Sequence, residues 1–138
     1  MKPITLADYF AGYKDHKGVT PEIRSRAAML LTHVNAFLLE LCEDGQCDYD
    51  INPITASMIS GVKNGGWRPQ ECTEGAPNSS HKQGQGIDIF DPDGDLDNAC
   101  TDTRLAKHGL YREHPAQTVR WLHLTTRAPR SGRRTFYA

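Results

Sequence analysis

No run in this chain is long and apolar enough to cross a bilayer, and Met1-Lys2-Pro3-Ile4-Thr5 passes straight into a helical pattern without a signal peptide. The expectation is a protein made and kept in solution in a cytoplasm. Net charge is nearly absent as well: 16 basic against 17 acidic side chains leave a formal charge of -1. That balance supplies no global field to recruit nucleic acid or a membrane, so neither is expected as a partner. Cysteine is scarce and poorly spaced for metal. Cys42-x4-Cys47 could open a structural zinc site, but no second close Cys or His pair completes it, and Cys72 and Cys100 stand alone. Free thiols or an incidental disulfide remain. Hydrophobic residues, at 38%, are fewer than usual for a globular chain but too many for a disordered one. A length of 138 residues suits one domain with a real core.

What is present begins with helices. Thr5 can cap a short helix to about Tyr13, with Leu6, Tyr9, Phe10 and Tyr13 on one apolar face. Thr20-Pro21-Glu22 is a strong helix start, combining a capping hydroxyl, a first-turn proline and an acid near the positive end. From there Ile23, Ala27, Leu30, Leu31, Val34, Leu38 and Leu41 recur at three- and four-residue steps. This predicts a long amphipathic helix ending near Gly45, the slab against which a sheet packs. His33, beside the stripe, reads as solvent-facing or hydrogen-bonded. Residues 43–53 are a polar connector, Thr55–Ile59 a first strand, and Gly61-Val62-Lys63-Asn64-Gly65-Gly66 a turn. Residues 70–80 form a loop at the entrance of the presumed site.

The chemistry concentrates in Asn78–Phe90. An imidazole, His81, and a carboxylate, Asp88, stand seven residues apart with Gly84 and Gly86 between them. Gly86-Ile87-Asp88-Ile89-Phe90 reads as a strand, and alternation turns Ile87 and Ile89 into a core and Asp88 the other way with Phe90. A carboxylate between two core isoleucines needs a partner. Arg120-Trp121-Leu122-His123-Leu124-Thr125 offers one, because Leu122 and Leu124 share a face and His123 lies on the other with Trp121 and Thr125. If the two strands are neighbours, Asp88 and His123 face one cleft with His81 beside them. Two imidazoles and a carboxylate are a ligand set for catalytic zinc, with water in the fourth position.

Between these strands, Asp91-Pro92-Asp93-Gly94-Asp95-Leu96-Asp97 invites a calcium reading, but the glycine comes too early and no Glu occupies the twelfth position. A turn with exposed carboxylates is expected instead. Asp97 or Asn98 then caps a helix to about His108, ended by Gly109. Leu110–Pro115 reads as a short strand. The tail, with Arg127, Arg130, Arg133 and Arg134, is expected to pack over the sheet edge; a nucleic-acid tail competes, with sparse aromatic support from Phe136 and Tyr137.

The set Gly66-Trp67-Arg68-Pro69, Ser79-Ser80-His81, Gly84, Gly86, Asp88 and Trp121-Leu122-His123 resembles a known family. It is similar to the zinc D-alanyl-D-alanine carboxypeptidases and L-alanyl-D-glutamate endopeptidases that cut peptidoglycan stem peptides. The ending Thr125–Arg134 resembles phage and prophage members. The likeness runs over about residues 55 to 138.

The resemblance implies one peptidase-like domain over 1–138, with a helical part at 1–50 and the metal site in 51–138. The fold expected is α+β, an antiparallel sheet with helices packed on one side. His81, Asp88 and His123 would hold Zn2+, and Arg68 would grip a carboxylate or carbonyl of the stem peptide, its other reading being a salt bridge that anchors the loop. Ser79 and Ser80 would hydrogen-bond His81 or line the substrate channel, and Trp121 would pack. Export would follow a holin-like route or lysis, giving a virion-associated or released protein.

Two departures stand out. The Gly61–Gly66 turn interrupts the pattern, in which the strand usually runs directly into the Gly-aromatic-Arg step. Family members also carry an Asp or Glu three residues before the last His, where this chain has Arg120, which cannot act as a base. Glu113 is the candidate substitute and His114 the second; a solvated Glu113 is the competing reading. The missing acid also permits a non-catalytic phage structural or assembly protein that retains the metal-binding fold.

Overall fold

Helices begin where the caps are. Thr5 Oγ1 accepts from the Asp8 N–H while the Asp8 carboxylate accepts from the Thr5 N–H, and this reciprocal cap opens α1, Leu6–Phe10. A 3-10 turn, Ala11–Tyr13, carries the helix to its expected end. The computed structural model describes residues 1–43 and 49–137. In it α2 spans Pro21–Glu43, with Thr20 Oγ1 accepting from the Ile23 N–H at 3.2 Å. Its expected end at Gly45, and Cys47, lie outside the described residues. All seven residues of the predicted stripe are buried, and Phe37 joins them. No described helix is long and apolar enough to cross a membrane.

The sheet has four strands: β1 Gly86–Phe90, β2 Tyr111–Glu113, β3 Trp121–Thr125 and β4 Thr135–Phe136, in the order β1-β3-β2-β4. β3 pairs antiparallel with β1 and with β2, but β4 runs parallel to β2, so the sheet is mixed rather than antiparallel throughout. The reason is topological. Both edges of β3 are taken when the chain leaves it, so the returning tail can reach only an outer edge. A strand that reverses from β3 and pairs with β2 must run parallel to β2. The tail therefore does lie on the sheet edge, as a strand of its own.

One face of this sheet is apolar. Ile87, Ile89, Leu122 and Leu124 are fully buried and belong to the same cluster as Tyr9 and Phe10 of α1 and the stripe of α2. Burial of such side chains stabilises by roughly 1.5–3 kcal/mol each. Leu96 and Leu105 join that cluster from α3, Asp95–Ala99, and α4, Asp102–Lys107. These replace the single helix expected to His108. Thr101 breaks it, because its hydroxyl accepts from the Arg104 N–H and starts α4 afresh. Asp91 is not exposed as expected: it is buried, and its two carboxylate oxygens each accept at 3.0 Å from the Leu96 and Asp97 N–H groups at the head of α3.

The strand expected at Thr55–Ile59 is reduced to two isolated bridges, Asn52 with Ser57 and Ile59 with Ile89. Side chains curl the segment instead. Asn52 Nδ2 donates to the carbonyls of Ile59 and Gly61, and Thr55 Oγ1 donates to Ile59 O at 2.9 Å. The segment still reaches β1, since Phe90 N–H donates to Met58 O, Ser60 N–H to Asp88 O and Asp88 N–H to Gly65 O, all within 2.9 Å.

Candidate metal centre

The polar face of the sheet carries a row of side chains. Asp88 on β1 is paired with His123 on β3. The β2–β3 register, Tyr111 with Thr125 and Arg112 with Leu124, sets Glu113 across from His123 at the next step, and Glu113 is paired with Phe136 on β4. Asp88, His123, Glu113 and Phe136 thus line one cleft of about 450 Å³. His81 joins them from the preceding turn.

That turn is shaped by close backbone contacts. Lys82 N–H donates to Ser79 O and Gln85 N–H to Ser80 O, while Ser79 Oγ accepts from the His81 N–H at 3.2 Å. Gly86 is needed because a Cβ there would lie 2.3 Å from Ser80 Oγ and 3.1 Å from the His81 nitrogen. Trp67, buried, donates its indole N–H to Lys82 O, and buried Lys82 donates to Cys72 O at 2.8 Å, tying the entrance loop down. Tyr9 OH donates to Gly86 O at 2.9 Å, so the N-terminal helix also braces the strand that holds Asp88.

His81 Nε2 and His123 Nδ1 converge on one oxygen, Asp88 Oδ1, at 3.2 and 2.8 Å. The other carboxylate oxygen, Oδ2, accepts from Arg68 Nη2 at 3.3 Å. The remaining ring nitrogens are engaged too. His81 Nδ1–H donates to Gly66 O at 2.8 Å, and His123 Nε2 lies 3.4 Å from Ser80 Oγ. Burial by itself would raise the Asp88 carboxyl, but the charge of His81 and the hydrogen bond from His123 outweigh it and hold the group well below the usual carboxylate range.

These residues fit a metal ion. Their ligand atoms lie within 4.8 Å of one another, and the three could hold a metal together. The Gly66 carbonyl fixes the proton of His81 on Nδ1, which leaves Nε2 turned toward the shared carboxylate oxygen. A ring anchored in this way by its far nitrogen is the arrangement seen around metal-ligating histidines. Two nitrogens and a carboxylate oxygen suit zinc.

The other expected residues divide. Ser79 and Ser80 line the cleft, Ser79 on the His81 backbone and Ser80 beside His123. Arg68 lines it as well, yet part of its fork is used internally, with Nε on Asn64 O at 2.8 Å and Nη2 on Asp88. Glu113 is half-buried at the cleft, and burial raises its carboxyl above the ordinary value. His114 is turned elsewhere: its Nδ1 accepts from the Ala116 N–H and its ring stacks on Tyr137, 4.4 Å away. It is no part of the cleft. Arg120 is exposed with φ of 78° and lies outside it too.

Trp121 and Arg127 are among the cleft residues that were not expected there. Trp121 lines the cleft rather than only packing, and Arg127 of the tail reaches it. Alternation on β3 places Trp121 with His123, a signal that was legible; nothing local in the sequence places Arg127. Compared with protein-family models, with curated proteins and with solved structures, the chain matches none.

Proposed function

We propose that this chain is a zinc-dependent peptidase of peptidoglycan stem peptides, phage-encoded, made in the cytoplasm and reaching the wall at lysis or with the virion. The observation that carries the reading is the convergence of His81, Asp88 and His123 in an open cleft with Glu113 one strand away. A bound zinc ion supplies Lewis acidity toward a carbonyl oxygen and makes water a better nucleophile near neutral pH.

The chain's own residues do the rest. Glu113 takes a proton from the attacking water on its carboxylate and delivers it to the leaving amine nitrogen. Its half-buried position favours the protonated form more than open solvent does, which suits the delivery step. Arg68 holds Asp88 by Oδ2, so that Asp88, with His81 and His123, would be oriented to hold the metal. Gly66 and Ser80 orient the two imidazoles. Arg127, on the cleft wall, offers a guanidinium to a substrate carboxylate.

The test is metal analysis of the purified protein combined with digestion of purified cell walls before and after chelation. One divalent ion per chain, and hydrolysis lost on chelation and restored by zinc, is the expected result. A non-catalytic phage structural or assembly protein is the second reading, favoured by Arg120 at the family's acidic position. Stoichiometric metal with no hydrolysis of any wall preparation would select it.

A further inference from the structure

A second depression adjoins the cleft. Its volume, about 460 Å³, equals that of the first within a few per cent. Arg68, Asp88 and Trp121 line both. The two therefore adjoin at these three residues, one of them bearing the carboxylate of the metal centre.

The second arm is walled by Ser60–Gly65, which includes most of the Gly61–Gly66 turn by which this chain departs from the pattern it resembles. The wall is held in place from several sides. Ser60 N–H and Gly65 O are bonded to the backbone of Asp88, Tyr13 OH donates to Asn64 Oδ1 at 2.7 Å, and Lys63 Nζ sits 5.7 Å over the Tyr13 ring. Val62, 70% exposed, and Lys63 line this depression together with Trp121. Apolar surface and a cation are thus presented on a braced support, and Glu74 adds an acidic group.

An enzyme that removes a terminal residue needs a groove that stops just beyond the reacting bond. Here a second depression adjoins the cleft at Arg68, Asp88 and Trp121. Either arm alone has the volume of an ordinary small-molecule site, about 300–1,000 Å³. A drug-sized ligand is bulkier than one amino-acid residue, so an arm of this volume has room for more than one. We propose, on the reading that the site is a peptidase, that the Ser60–Gly65 arm binds the half of an extended peptide lying across the scissile bond from the His81–Glu113 arm. The enzyme would then cut an internal bond rather than release a terminal amino acid.

The experiment uses the full zinc-loaded chain with peptides prepared from peptidoglycan stems, products being identified by mass spectrometry. Fragments of two or more residues on each side of the cut are expected. Release of a single terminal amino acid would overturn the subsite while leaving the peptidase standing. Absence of any turnover by metal-loaded protein would remove both. The second measurement compares wild type with Val62→Asp/Lys63→Glu on the full peptide and on one truncated to a single residue on that side. Both positions are exposed, so the fold should persist, as the melting curve would verify. KM for the full peptide should rise about ten-fold at unchanged kcat, the pattern of lost uniform binding, with the truncated peptide unaffected. Equal effects on the two peptides, or none on either, would overturn the subsite.

Discussion

Replacing Asp88 by Asn keeps the shape of the side chain and removes the charge on which Arg68 and two imidazoles converge. Without metal, His123 Nδ1, His81 Nε2 and Arg68 Nη2 all approach the carboxylate within 3.3 Å. The amide can accept on one side only, and its NH2 must face a donor on the other. Arg68 and Asp88 side chains are 12% and 14% exposed, so solvent screens little of the loss. Removing one partner of such a buried pair costs about 3–5 kcal/mol. For 138 residues the entropy of unfolding near the midpoint is about 0.3 kcal/mol per K, so the metal-free variant should melt roughly 10–17 °C below the metal-free wild type. Thermal unfolding monitored by circular dichroism measures this directly. Acid adds a sign. A carboxyl held below its ordinary range contributes stability that is present above about pH 4 and lost as pH falls through the folded value. The wild type should therefore lose its advantage over Asp88→Asn in strong acid. A metal-free difference under about 3 °C near neutral pH would refute the reasoning, since Asp88 would then be hydrated rather than the hub of the site.

His81→Ala and His123→Ala should each fail to bind one zinc per chain by elemental analysis, and chelation should lower the melting temperature of wild type but not of either variant. Glu113→Gln should retain zinc and lose about two or more orders of magnitude in cell-wall hydrolysis; full activity would exclude Glu113 as the base. Gly86→Ala should weaken zinc binding and stability together, because its Cβ presses on Ser80 and the His81 backbone; titration of zinc into the chelated protein checks it. Asp97 works with the opposite sign to Asp88. Burial first, then Asp91, raise its carboxyl to about 6 despite Arg112. Between about pH 4 and 6 the unfolded chain has released a proton that the folded chain keeps, so this group makes stability fall as pH rises through that window. Asp97→Asn should flatten that stretch of the stability–pH curve, and an unchanged slope would refute the assignment.

Much of this arrangement is local and was therefore legible in the chain. Thr5 and Thr20 cap, and the α2 stripe repeats with the helical period, because these signals act within four residues. The strand Gly86–Phe90 alternates, so Ile87 and Ile89 had to go one way and Asp88 the other. The same alternation on β3 put His123 on the face opposite Leu122 and Leu124. That reasoning brought His81, Asp88 and His123 together as a ligand set. Where side chains competed with the backbone, local reading failed. Asn52 and Thr55 bond to the carbonyls around Ile59 and prevent the expected strand, and Thr101 restarts a helix that periodicity alone would continue.

Distances in space were decided elsewhere. Register fixes Glu113 opposite His123, whereas its neighbour His114 leaves the strand to cap a turn and stack on Tyr137. One residue of difference in the chain separates a cleft position from one outside the cleft. Arg68 was legible as a site residue, but its division between Asn64, Asp88 and the cleft follows from how the Gly61–Gly66 turn docks on β1. Arg127 reaches the cleft because β4 can pair only with the free edge of β2, which folds the tail back beside the site. By itself the sequence determined the faces of its helices and strands and the kinds of ligand atom they carry, since both follow from short-range sterics and hydrogen bonding. Only the tertiary structure decided which acid stands beside His81, Asp88 and His123 and which residues wall the cleft, because those depend on strand pairing between segments far apart in the chain.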